Sequence, residues 1–156
     1  MADFGKVAEN LKKRGYAVKE FATAKEAADY LNGEIDGVSV GFGGSATLDV
    51  MGLYDMLSSH NTVYWHWKQD KDMARKAAMQ TDVYLTSANA LAETGEIINI
   101  DGVAIVWHPR CLGIKKFIMS LVKISWNQTL KRLLPVPEIL RHLRERHSLE
   151  KRHPAL

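Results

Sequence analysis

The chain has 156 residues, of which 46% are hydrophobic and 25% charged, the balance of an ordinary soluble globular protein. That length allows one domain with at most an appended tail, and roughly 70% of the surface of its unfolded form can be buried. No apolar stretch is long enough to span a bilayer, Met1–Lys13 lacks the continuous apolar run of a secretory signal, and the single Cys111 excludes a disulfide framework, so the cytoplasm is the expected compartment. The net charge of +3 hides a break: residues 1–101 carry ten Lys and Arg against fifteen Asp and Glu, and residues 102–156 carry eleven against three.

In chain order, Phe4, Val7, Ala8 and Leu11 fall at helical spacing and Gly15 stops the helix. Residues 16–21 alternate enough for a short strand. Thr23 with Glu26 has capping-box spacing and opens a helix that runs to Gly33. Val38–Phe42 reads as a buried strand, and Ser45–Leu57 as one helix through Leu48, Met51, Leu53 and Leu57. Thr62–Trp67 is rich in β-branched and aromatic residues and reads as a strand. Asp70–Met79 predicts a helix, Asp82–Thr86 a strand, Ala88–Thr94 a short helical turn and Glu96–Ile100 a strand. Helices alternating with short apolar strands predict an α/β fold with a mostly parallel open sheet and helices on its faces. After Gly102 the pattern degrades. Val103–Trp107 reads as a strand, Leu112–Ile124 as a poorly amphipathic helix, and Pro137–Leu149 as a basic helix.

The chemistry is expected at Gly41-Phe42-Gly43-Gly44-Ser45-Ala46-Thr47, a turn between a strand and a helix. Glycines there allow positive φ and let amides converge, the helix start adds positive charge, and Ser45 and Thr47 add hydroxyls. Gly41, Gly43, Gly44, Ser45 and Thr47 are therefore candidate ligands of a phosphate or carboxylate. The bland alternative is a tight turn with Ser45 as a helix cap. The segment also fits G-x-G-x-x-A, but no acidic residue ends the next strand, which makes a nicotinamide-dependent enzyme the weaker reading. No Gly-Lys-Ser/Thr follows, so this is not a Walker A loop.

A second cluster runs from Thr86 to Gly95. Asn89 and Thr94 are candidates to face the same crevice, and Glu93 is a candidate general base. The alternative is that Asn89 and Thr94 satisfy turn backbone and Glu93 is solvated. His66, between Trp65 and Trp67, reads as structural. His142, His147 and His153 sit among arginines as a solvated face, and no metal-ligand spacing is present.

Four motifs in order, Gly41-Phe42-Gly43-Gly44-Ser45-Ala46-Thr47-Leu48 with Gly52-Leu53, Thr86-Ser87-Ala88-Asn89-Ala90, Glu93-Thr94-Gly95 and Asn99-Ile100-Asp101-Gly102, resemble the LUD (lactate utilisation) domain family over about residues 4–102. The resemblance implies a sheet similar to the isomerase and CoA-transferase-like fold. It also implies a part in oxidising lactate to pyruvate with iron–sulfur partner subunits, the clusters being carried by those partners and no cofactor by this chain. A small carboxylate or phosphate is the implied ligand, with no membrane partner. The alternatives are a non-enzymatic remnant or an anion-binding module.

The family pattern continues with Gly-Asn-Arg-Val-Ala, which this chain lacks after Gly102. Reading the last base of each codon with the first two of the next, Trp107-His108 forces Ala and Trp126-Asn127 forces Glu. Gly102 to Trp107 permits the family continuation in register. The expectation is therefore a LUD-like domain over residues 1–102 and a basic, out-of-frame tail over residues 103–156. An incomplete sheet would be weakly stable, since the last layers contribute much of the ~5–15 kcal/mol that keeps a domain folded. A basic arm that binds nucleic acid is the competing view, disfavoured by the apolar Trp107, Ile114, Phe117, Ile118, Leu121 and Trp126.

Overall fold

The computed structural model describes residues 4–99 and 114–121. Along the chain these form α1 (Phe4–Lys13), α2 (Ala24–Glu34), β1 (Ser39–Phe42), α3 (Ala46–Val50), α4 (Leu53–Ser58), β2 (Thr62–Trp65), α5 (Lys71–Ala78), β3 (Val83–Thr86), β4 (Ala90–Leu91), β5 (Ile97–Ile98) and β6 (Lys116–Met119). They fall into two compact units, one from residues 19–88 with 114–121, the other from residues 4–18 with 89–99.

The larger unit holds an all-parallel sheet in the order β2-β1-β3-β6, with Val40 opposite Val63 on one side and Val83 on the other. The class is α/β with flanking helices, as the alternation of elements predicts. Side chains alternate across a strand. Val40, Phe42, Val63, Trp65, Val83 and Leu85 therefore share one face and pack on apolar residues of α2, α3 and α4. Val40, Phe42, Trp65 and Leu85 have no solvent exposure, and each such side chain contributes about 1.5–3 kcal/mol. The opposite face carries Tyr84 and Tyr64, which pack with Ala78 of α5 and with Ile114 and Phe117.

Caps fix the helix starts. The Thr23 side chain accepts from the Glu26 amide at 3.1 Å, and the Glu26 carboxylate accepts from the Ala22 amide at 3.1 Å. Asp70 accepts from the Met73 amide at 2.9 Å. At the N-terminal edge of the sheet, Asp82 accepts from the hydroxyl of Ser39 at 2.6 Å and from Lys115 at 2.8 Å, which ties β1, β3 and the approach to β6 together.

Several elements differ from the sequence expectation. Residues 16–21 are not a strand. Ser45–Leu57 is two helices, because Gly52 takes φ 67° and breaks the ladder between α3 and α4. The segment around Ala88–Thr94 is not helical; Ala90 and Leu91 pair antiparallel with Ile98 and Ile97. Within Leu112–Ile124, the described residues include a strand, Lys116–Met119, bonded to β3. Phe117 stacks on Tyr84 at 5.8 Å between centroids, a contact that favours the extended form over a helix with no clean polar face. Val103–Trp107 and Pro137–Leu149 lie outside the described residues.

In the smaller unit, Val7 and Leu11 of α1 pack with Leu91, Val18 and Ile97. The β4–β5 connection turns at Gly95, whose φ of 89° is open to glycine and rare elsewhere.

Candidate functional site

In the larger unit the chain passes from β1 to β2 on one side and then crosses β1 to reach β3 on the other. The winding direction therefore reverses between β1 and β3, the point at which open parallel sheets form a crevice beyond their strand C-termini. Here that edge carries Gly43 to Thr47 after β1, His66 and Trp67 after β2, and Ser87 after β3.

Ser45 caps α3. Its hydroxyl oxygen accepts from the Leu48 amide at 3.2 Å, and its proton is donated to Ser87 Oγ at 2.9 Å, across the point of reversal. Ser45 is 3% exposed, and the bond from Leu48 is buried while that to Ser87 is partly buried. The hydroxyl thus fulfils the capping alternative. The Gly43 amide donates to the Leu85 carbonyl at 2.8 Å. The amides of Gly44, Ala46 and Thr47, which open α3, take no part in these bonds, as expected where a helix begins.

The glycines of the turn do not adopt positive φ; that conformation is confined to Gly15, Gly37, Gly52 and Gly95 among the described glycines. Gly41 and Gly43 are required by close approach instead. A Cβ on Gly41 would meet the Ala78 carbonyl oxygen at 2.6 Å and Thr81 Oγ1 at 2.7 Å, so the bare backbone is what lets α5 lie on β1. A Cβ on Gly43 would meet Thr86 Oγ1 at 2.6 Å. Gly44 differs: it is exposed, and a Cβ there would make ordinary contact with Trp67 Cζ2 at 3.5 Å and His66 Nε2 at 3.8 Å. The helix that follows is only five residues long, so its dipole is small and the turn's amides are the main positive feature.

The sequence alone reads His66 as structural and gives Trp67 no place in the site. Parallel pairing of β1 and β2 brings them beside Gly44, a relation between residues far apart in the chain. Their one local signal is position, directly after the aromatic strand Thr62–Trp65. His66 lies past the end of β2 and is 8% exposed. Trp67 is 48% exposed and stacks on the buried Trp65.

Asn89, Glu93 and Thr94 all lie in the smaller unit. The Asn89 amide donates to the Ile98 carbonyl at 3.1 Å. The Glu93 carboxylate pairs with Lys6 at 3.1 Å, and its carbonyl accepts from Asn10 at 2.8 Å. The Thr94 carbonyl accepts from Arg14 Nε at 3.0 Å, and its hydroxyl donates to Glu96, which also pairs with Arg14. The hairpin turn is thereby pinned to α1. The bond from the Thr94 hydroxyl first, then one from the backbone amide of Glu96 itself, and then the charge of Arg14, hold the Glu96 carboxyl below its ordinary range.

Among the described residues, no group of three His, Cys, Asp or Glu side chains converges on a possible metal position, and no helix is long and apolar enough to cross a membrane. A family model described as LUD domain matches residues 5–119, more than half the chain and through β6. No match is found among curated proteins or among solved structures.

Proposed function

The chain belongs to the LUD domain family, and from that premise we propose that it serves lactate utilisation as a subunit that holds a small carboxylate or phosphate where β1 enters α3. The observation that carries this reading is the turn at the reversal point of the sheet, where the amides of Gly44, Ala46 and Thr47 stand outside the internal bonding. Gly41 and Gly43 support the seat by packing, and Ser45 fixes its shape through Leu48 and Ser87. In this reading the oxidation of lactate to pyruvate is completed with iron–sulfur partner subunits. The hairpin that carries Asn89, Glu93 and Thr94 then serves mainly as a braced surface, because the Glu93 carboxylate is engaged by Lys6.

The test is calorimetric titration of the full chain with lactate, pyruvate and inorganic phosphate. The same titrations of Gly44→Asp place a carboxylate against the proposed seat. Saturable binding by the native chain that is lost in Gly44→Asp supports the proposal. Absence of binding by all three anions, or equal binding by the variant, refutes it.

A further inference from the structure

Beyond the anion seat, the same edge of the sheet carries a flat aromatic surface that the proposed function does not use. The Phe42 and Trp65 rings, both without solvent exposure, stack at 4.9 Å and 24°. Trp67 continues the stack on Trp65 at 5.4 Å and 20°, yet it is 48% exposed. An indole half in water forgoes much of the burial that makes tryptophan stabilising in a core. This one is nonetheless stacked on the buried Trp65 ring, itself backed by Phe42, so less side-chain freedom remains to be lost when something lies on it.

The neighbours keep it accessible. His66 meets Trp67 edge-on, with centroids 6.2 Å apart and planes at 71°. On the side toward β1 stands Gly44, where a Cβ would touch Trp67 Cζ2 at 3.5 Å and any longer side chain would spread over the indole. The exposed glycine of this turn thus stands where a side chain would cover an exposed tryptophan. Beside the ring lie the amides of the turn, which can bond polar substituents of a ring stacked there.

We propose that Trp67, with Gly44 and His66, forms a stacking shelf for a planar heteroaromatic ring that carries hydrogen-bonding substituents. Nucleobases, nicotinamide and flavin rings share that chemistry. Stacking of such a ring on an aromatic side chain is sequence-tolerant and strong enough to change affinity by tenfold or more. The shelf does not depend on lactate binding at the neighbouring turn.

The experiment compares ligands that differ in the ring. Adenosine monophosphate, nicotinamide mononucleotide and flavin mononucleotide are titrated calorimetrically into the full chain, with ribose 5-phosphate as the ringless control. At least one ring compound is expected to bind about tenfold more tightly than the control, and the pattern among the three identifies the ring. Trp67→Ala should abolish that preference and leave ribose 5-phosphate unchanged. Gly44→Leu leaves the stack in place but borders the anion seat, so it is read with phosphate-free adenosine against ribose; it should abolish the preference for the ring there too, and it serves if Trp67→Ala does not fold. Equal affinity for ring compounds and control in the native chain overturns the proposal. So does a preference that survives in both variants. Lactate titrated in parallel separates the two readings, since loss of the ring preference with lactate binding retained removes only the shelf.

Discussion

The hydroxyl of Ser45 donates a 2.9 Å hydrogen bond to that of Ser87, joining the turn after β1 to the segment after β3 at the place where the sheet reverses direction. The same oxygen caps α3. Ser45→Ala removes both bonds and is expected to destabilise the chain by about 1–2 kcal/mol. Urea denaturation should show a lower midpoint at an unchanged slope.

Gly41 in β1 and Gly44 in the turn after it should respond differently to alanine. Gly41→Ala forces a methyl against the Ala78 carbonyl at 2.6 Å and is expected to cost about 1–3 kcal/mol or prevent folding. Gly44→Ala meets only ordinary contacts and should stay within about 0.5 kcal/mol of the native chain. Equal effects in paired thermal melts would show that α5 does not sit on β1 as described.

Gly52 joins α3 to α4 at φ 67°, with nothing near the position of a Cβ. The strain of Gly52→Ala is therefore purely conformational, about 1–2 kcal/mol. Gly52→Asn, which tolerates that region better, should recover part of the loss in the same melt.

The Asp82 carboxyl is held well below its ordinary range, first by the Lys115 ammonium and then by the hydroxyl and amide of Ser39. A carboxyl lowered in the folded state contributes stability that is fully present above its unfolded value, about 3.9, and is lost as pH falls toward the folded value. The melting temperature should therefore decline below about pH 4, and Asp82→Asn should flatten that decline. An identical pH profile in the variant would remove Asp82 from the account.

The tail makes a prediction about nucleic acid sequence. If residues from 103 onward are an out-of-frame reading, the coding DNA after codon 102 spells Gly-Asn-Arg-Val-Ala in the alternate frame, and one sequencing read decides it. The family match reaches residue 119, and β6 is supplied by this chain's own Lys116–Met119.

Three strands of the larger sheet, β1, β2 and β3, are legible because they are short apolar runs bounded by glycine or polar residues, with Val40 and Phe42, Val63 and Trp65, Val83 and Leu85 at period two. What failed was decided by distant partners. The alanines near Ala90 favour a helix locally, yet pairing with Ile97 and Ile98 and the turn at Gly95 override them. Lys116–Met119 is a strand because the edge of β3 accepts it and Tyr84 receives Phe117. Residues 16–21 alternate but pair with nothing in either sheet. At the candidate site, the glycine turn was visible in the sequence while its mechanism was not. Gly41 and Gly43 answer to the approach of α5 and Thr86, which a local pattern does not reveal. His66 and Trp67 join the turn only through the register of β1 against β2.

The paired indoles of Trp65 and Trp67 have one more consequence. Chromophores this close share their electronic excitations, so this edge of the sheet has a built-in optical gauge. A change in the tilt of the outer ring alters the coupled near-ultraviolet circular dichroism before any global unfolding, and local rearrangement there can be followed without a label.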